Sequence, residues 1–372
     1  MNANKPIRIL CVFSRLDRGG AESMCMNLYR HIDRERIQFD FVKHTDKMGD
    51  FEEEIRNLGG KIYEAPRYNG YNYMTYVRWW KKHFESHPEH QIVHGHYFTI
   101  SALYFKVAKK CGRTTIGHIH SSASDCIIKS FLVHKITKYS DYNLACSQEA
   151  GNWIYGKKKF TVMKNAIDAE AFRVNNENRE QYRQKFGFDH NITVLGTVAN
   201  FSAVKNPKGL LDIFVAIHKI NPNTRLLWVG EGQCRAEIEK RIKEEQLESK
   251  VKLLGARKDV AYVLQAMDAF LLPSFHEGLP VSVIEAQAAG LKCFISDCVT
   301  DEADITERCD FLPLHQENVW AEKILNTDLA KIDTSQMIKT AGYDITTTSK
   351  WLEEFYVKMS VKNEKGKSDI EI

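Results

Sequence analysis

Short apolar runs and amphipathic stretches alternate along the 372-residue chain. IRILCVF (7–13) is almost continuously apolar, the pattern of a strand covered on both faces, and ESMCMNLYRHI (22–32) repeats its apolar residues at helical spacing. FDFVKH precedes FEEEIRNLG, QIVHGH precedes ISALYFKVAKKCG, and TTIGHIH, YNLACS and FTVMKNAI continue the series. After the polar stretch VNNENREQYRQKFGFDHN (174–191) the alternation restarts with NITVLGTVANF, GLLDIFVAIHKI, RLLWVGEG, CRAEIEKRIKEEQ, VKLLGA, DVAYVLQAM, AFLLPS and KCFISD. Strands alternating with helices imply parallel sheets with helices on both faces. Two such series imply two doubly wound α/β domains, with ligands at the C-terminal ends of the strands and the cleft between the domains as the default site. The expected boundaries are 1–185 for the first domain and 186–345 for the second. The polar stretch reads as a linker with one short helix, 346–360 as a C-terminal helix returning to the first domain, and 361–372 as a disordered tail.

Composition narrows the class. Hydrophobic residues make up 43% and charged residues 27%, ordinary for a globular protein with a core. The nine cysteines are scattered, odd in number and contain no CxxC pair, which argues against a disulfide scaffold or a structural zinc site and for a reducing compartment. No stretch approaches the roughly 20 apolar residues of a membrane span. The N-terminal run lacks a small-residue cleavage site and reads as a buried strand, not a signal peptide. The expected location is the cytoplasm, at most against the inner face of a membrane. The net charge of +4 divides unevenly: residues 1–190 carry 30 Lys/Arg against 21 Asp/Glu, residues 191–372 carry 22 against 27. A basic first half suits anionic partners such as lipid headgroups or phosphates, and equally an ordinary solvated surface.

Several motifs lead nowhere. GNWIYGKK (151–158) begins like a P-loop, but its last residue, Lys158, stands where Ser or Thr should hold magnesium, and no apolar strand runs into it. GEGQCR (230–235) lacks the third glycine of a dinucleotide fingerprint. DEAD (301–304) without a P-loop is an acidic loop. His94/His96 and His118/His120 each point to one face of a strand, but no carboxylate or cysteine joins them at a recognisable spacing, so no metal is assigned. Both pairs end parallel strands and are expected to reach the cleft. RYNGYNYMTYVRWWKKHF (67–84) has Tyr73, Val77, Trp80 and Phe84 at helical spacing. It fits a membrane-interface helix, and fits better a helix facing the core.

SFHEGLPVSVIEAQAAG (274–290) carries the chemistry. AFLLPS is a strand, and Pro280 suits the start of the helix that follows. The amino end of that helix is a phosphate seat, and Gly278 allows close approach of the backbone. Glu285, further along, accepts hydrogen bonds from a vicinal diol such as ribose, and Glu277, before the helix, from a second set of hydroxyls. Diol, phosphate and diol in line describe a nucleotide sugar.

These residues resemble the E-x7-E signature of retaining glycosyltransferases of family four, which have the GT-B fold. RLDRGGAES resembles that family's N-terminal glycine loop. VMKNAIDAEAF resembles its VxxNGID segment, with Ala166 for glycine, and GTVANFSAVKNPKGLLDIF its GxVGRFxxxKN block; WVGEGQCRAEIE and LLGARKDV follow in order. The resemblance implies that Glu285 binds the donor ribose and that Glu277 holds sugar hydroxyls near the anomeric centre. It implies that the Gly278 and Leu279 amides face the diphosphate, that Lys205 neutralises it, and that Arg257 lies by the base. Gly19 and Gly20 would border the cleft, and His120 would be the cleft histidine, with His118 as the alternative register. Asn200 stands where the family has an arginine, so one cation on the leaving diphosphate is missing. The implied reaction transfers a sugar, most commonly from a UDP-sugar, to a glycan or lipid-linked acceptor in cell-surface polysaccharide synthesis. The anomeric configuration is retained, with no obligatory metal or other cofactor and no nucleic-acid partner. A nucleotide-sugar-binding protein without transferase activity and a nucleotide-sugar epimerase are the alternatives.

Overall fold

The computed structural model describes residues 5–96, 100–120 and 138–365, with side chains to Val361. They form two compact units, one of residues 1–166 with 345–372, the other of 167–344.

The first unit holds a seven-stranded sheet: β1 Ile7–Val12, β2 Ile37–Lys43, β3 Ile62–Glu64, β4 Ile92–Gly95, β5 Thr114–Ile119, β6 Tyr142–Ala145 and β7 Thr161–Val162. Their order is β3-β2-β1-β4-β5-β6-β7, and every pairing is parallel. One face packs under the Gly20–His31 and Ile345–Lys365 helices, through Ile9, Cys11, Leu28, Tyr29, Leu352 and Tyr356. The other lies under Tyr73–Ser86, Ser101–Lys110 and Gln148–Tyr155. The aromatic stretch 67–84 is thus largely core: Tyr76, Trp80, His83 and Phe84 are buried. Tyr73, expected on the buried stripe, is exposed, because the helix begins at that residue and turns its stripe towards Tyr76.

The second unit holds β8 Thr193–Val198, β9 Thr224–Val229, β10 Val251–Gly255, β11 Ala269–Leu272, β12 Lys292–Ser296 and β13 Cys309–Leu312, in the order β10-β9-β8-β11-β12-β13 and again all parallel. The strand order reverses between β1 and β4 in the first sheet and between β8 and β11 in the second. Doubly wound sheets bind their ligands beyond the carboxyl ends of such strand pairs.

Residues 174–191, read as a linker, are instead part of the second unit. The Asn176–Phe186 helix is capped by the Asn175 side chain and ends on Gly187 in the left-handed region. Arg183, 2% exposed, donates to the carbonyls of Ala266, Asp189 and Ile192 and pairs with Asp268. The unit therefore begins at Ile167, not near 186. The last helix runs to Lys365, past the start of the expected disordered tail; 366–372 lie outside the described residues. The P-loop-like stretch lies largely within the Gln148–Tyr155 helix and forms no phosphate loop.

Candidate active site

Two loops leave the switch point of the second sheet, one from β8 and one from β11. The β8 loop runs through Asn200 to a 3-10 turn at Ala203–Lys205, and Asn206, at φ 52°, caps the Pro207–Ile220 helix by accepting from the Gly209 amide. Its back is packed tightly. Phe201 stacks on Trp228 with ring centroids 4.4 Å apart, and Trp228 Nε1 donates to the Ala199 carbonyl at 3.2 Å. Gly230, at φ 147°, lies so close that a Cβ there would sit 2.1 Å from the Ala199 oxygen. The glycines of GEGQ therefore serve close packing of backbone on backbone.

The β11 loop is fixed from both sides. Ser296 Oγ donates to the Ser274 carbonyl at 2.5 Å, the Phe275 amide donates to the Val204 carbonyl at 2.8 Å, and Glu277 forms a parallel bridge with Val299. The Phe275–Val204 bond joins the two loops and brings two expected site residues together: Lys205 Nζ lies 2.5 Å from Glu277 Oε1. Gly278 and Leu279 follow, and the helix starts at Val281 with Pro280 as its cap residue. Glu285 is in the second turn of that helix. Among the described residues its carboxylate has no hydrogen-bond or ion-pair partner, and burial pushes its pKa up to about 7. A partly sheltered acid with no partner is positioned to accept from hydroxyl donors.

The other expected residues divide. Asn200 is exposed and accepts from Ser202 Oγ at 2.7 Å. Arg257 is closed on Asp259 through Nε (2.7 Å) and Nη2 (2.5 Å), while the Tyr182 hydroxyl donates to the same carboxylate; this holds Asp259 down at about 2 and leaves Nη1 of Arg257 outside the pair. The neighbouring cations are also engaged, Arg235 with Glu231 and Glu239, Lys208 with Glu237. In the first unit, Gly20 opens the Gly20–His31 helix, and a Cβ there would meet nothing, whereas a Cβ on Gly19 would strike the Glu22 carboxylate. His120 follows β5, and its Nε2 shares a 2.8 Å hydrogen bond with His96 Nδ1. His94, His96 and His118, expected to reach a cleft, are instead buried in the core of this unit, because their face of the sheet is covered by the Ile345–Lys365 helix; Tyr356 of that helix bonds His94 Nδ1 at 2.6 Å.

The sequence pattern of "Glycosyltransferase Family 4" matches residues 18–171, and that of "Glycosyl transferases group 1" residues 178–307. A putative glycosyltransferase of Bacillus subtilis, EpsF, is 30% identical over 366 residues, covering 92% of this chain and 94% of the relative. The chain belongs to the family 4 glycosyltransferases. An Escherichia coli relative of this glycosyltransferase, UDP-Gal:alpha-D-GlcNAc-diphosphoundecaprenol alpha-1,3-galactosyltransferase, is 28% identical over 142 residues, 37% of each chain. Among solved structures, Anabaena Alr3699/HepE in complex with UDP superposes with a TM-score of 0.77, covering 95% of this chain and 100% of that one at 17% identity. The UDP-glucose complex of the same protein gives 0.75, covering 94% and 99% at 18% identity. At that identity the likeness establishes the fold, which is GT-B. The glycosyltransferase therefore carries Lys205, Glu277 and Glu285 within one matched pattern and His120 within the other.

Three features of the site were hidden in the sequence. The Lys205–Glu277 pair joins residues 72 apart, and no spacing rule signals it. The Val204–Phe275 bond is made by backbone and leaves no residue-type signature. The Trp228–Phe201 support had a trace, an aromatic in each of two quoted blocks, but not their contact.

Proposed function

We propose that this glycosyltransferase moves a sugar from a nucleoside diphosphate sugar, a UDP-sugar in the first instance, to a glycan or lipid-linked acceptor in polysaccharide synthesis, with retention of anomeric configuration. The observation that carries the reading is the unpartnered, desolvated carboxylate of Glu285, on the helix entered directly from the Glu277–Leu279 segment. In this reading Glu285 accepts from the ribose hydroxyls. The Gly278 and Leu279 amides and the helix start take the diphosphate, and Glu277 reads the hydroxyls of the sugar. Lys205, held in place by Glu277, stabilises charge on the departing diphosphate in the role a divalent metal has elsewhere, so no metal is needed at the phosphates. Retention follows from attack on the face the diphosphate leaves, its oxygen taking the acceptor proton; the alternative, two inversions through a carboxylate, would place Glu277 as nucleophile. His120 sits by the hydroxyls of the transferred sugar. The UDP complexes of the Anabaena structure and the UDP-galactose named for the Escherichia coli relative favour uridine.

The acceptor is proposed to meet the basic first unit at the cytoplasmic face of a membrane. Among the described residues no helix is long and apolar enough to cross one. Tyr71 and Met74 are exposed beside Arg67, Arg78, Lys81 and Lys82, a combination suited to an anionic lipid surface. Asn200 favours a second reading, a nucleotide-sugar-binding protein without transfer. The test is incubation of the full chain with radiolabelled UDP-glucose, UDP-galactose and their N-acetyl forms, with and without a lipid extract as acceptor. Label passing to the lipid fraction supports transfer; saturable binding of every donor that binds, with no label transferred or released, supports the second reading.

A further inference from the structure

The carboxyl ends of β4 and β5 carry a histidine group of which sugar transfer uses only His120. Alternate residues on neighbouring parallel strands share a face, so His94, His96, His118 and His120 stack. Ring centroids are 4.2 Å apart for His94–His96 and for His118–His120, and 5.3 Å for His94–His118 and for His96–His118. His94, His96 and His118 are 1%, 5% and 0% exposed. One ring nitrogen from each of these three lies within 4.8 Å of the others. The sulfurs of Cys11, on β1, and Cys25, on the Gly20–His31 helix, form a second such group with His96.

The hydrogen bonds of this cluster do not close. His94 spends Nδ1 on the Tyr356 hydroxyl, and His96 spends Nδ1 on His120. Among the described residues, Nε2 of His94, Nε2 of His96, both nitrogens of His118 and Nδ1 of His120 are buried without a partner. Roughly nine in ten buried polar groups have one, and each that lacks it costs about 1–3 kcal/mol. Orphans on three neighbouring rings, each with a nitrogen within 4.8 Å of the others, point to a shared partner. For two of the three rings the other nitrogen is held, His94 by Tyr356 and His96 by His120, as outer-shell partners hold ligating histidines.

We infer that His94, His96 and His118 bind a divalent cation of the zinc type through ring nitrogens, and that the sulfur of Cys11 or Cys25, which lies near His96 alone, moves in as a thiolate fourth ligand. The centre of a triangle with 4.8 Å edges is about 2.8 Å from each corner, and zinc–nitrogen bonds are about 2.0–2.1 Å, so each ring moves inward by less than about 0.8 Å. Three neutral imidazoles alone would leave two positive charges buried. A thiolate removes one of them, and its proton passes to solvent on binding. Nitrogen and sulfur donors without a carboxylate exclude magnesium and calcium as the preferred ion. The cation would fasten β4 and β5 at one point, together with β1 or the Gly20–His31 helix according to which thiolate binds. With the metal on Nε2, His96 must carry its proton on Nδ1 and donate it to Nε2 of His120, which sets the tautomer of His120. This inference stands independently of the sugar-transfer reading.

The test uses the untagged full chain, equilibrated with zinc and then dialysed into metal-free buffer. Elemental analysis is expected to find one zinc per chain. Cobalt(II) in its place is expected to give the intense visible absorption of a tetrahedral site together with a near-ultraviolet thiolate-to-cobalt band. His96→Ala is expected to lower the zinc content at least tenfold, and His218→Ala, in the second unit, to leave it unchanged. If His96→Ala fails to fold, the cobalt spectrum of the unaltered protein decides alone. Zinc content no higher in the unaltered protein than in a folded His96→Ala, or a cobalt form without the thiolate band, overturns the assignment.

Discussion

Glu285 is expected to lower the stability of the free protein, and its removal to show this directly. Burial raises its pKa to about 7 from the 4.5 of a free carboxyl. Between these values the native state holds a proton that the unfolded chain has released, so stability falls as pH rises through the window from 4.5 to 7. Below it the group contributes nothing; above it the penalty is complete. At about 1.36 kcal/mol per pH unit the gap sets a ceiling of about 3 kcal/mol. Glu285 keeps partial exposure, so solvent screening brings the expected penalty to about 1–2 kcal/mol. Glu285→Gln keeps the shape and removes the charge. Urea unfolding of both proteins at pH 5 and pH 8 is the assay, and the difference between them cancels every other titrating group. The variant is expected to be more stable by about 1–2 kcal/mol at pH 8 and by much less at pH 5. UDP at 100 times its dissociation constant, which should add about 2.7 kcal/mol to the parent protein, is expected to add little to the variant. A variant no more stable than the parent at pH 8 would refute the desolvated-carboxylate account.

In the proposed reaction Lys205→Ala removes the cation that would face the diphosphate, and it leaves Glu277 unpaired. Transfer is expected to fall roughly 10²-fold in kcat, with a stability loss of about 1 kcal/mol, read by steady-state kinetics and thermal unfolding. Asn200→Arg restores the second cation. A charge-assisted bond is about twice as strong as a neutral one, so turnover should rise several-fold, and an unchanged or lower rate would show that Asn200 is not a deficit. Binding to vesicles rich in anionic lipid is expected at low salt and should be lost by about 0.5 M, where the screening length falls to roughly 4 Å; binding insensitive to salt, or absent, counts against a membrane-facing first unit.

The alternation of apolar runs and amphipathic stretches was enough to read two parallel sheets, because strands buried on both faces have little other choice of sequence. The unit boundary was not legible. Composition classes the Asn176–Phe186 helix as solvated, yet Arg183 is a core residue there, since the chain offers its guanidinium free carbonyls at Ala266, Asp189 and Ile192. The histidine pairs were visible, but where they pointed was not. Tyr356 and the sulfurs of Cys11 and Cys25 come from elements far away in sequence, so neither the burial nor a cysteine beside the rings left a spacing to read. Glu277 and Glu285 were singled out through their place around a helix start, a local feature that the structure keeps. The Lys205–Glu277 pair needs the carboxyl ends of β8 and β11 side by side, and adjacency of strands is a property of the sheet.

The central claim is that the Glu285 carboxylate reads the ribose of a nucleoside diphosphate seated at the start of the Val281–Ala288 helix. A crystal structure of the full chain with UDP tests it most directly. The expected result is UDP with both ribose hydroxyls within hydrogen-bonding distance of Glu285, about 2.5–3.0 Å, and its phosphates against the Gly278 and Leu279 amides. UDP bound elsewhere, with Glu285 facing solvent, would contradict it.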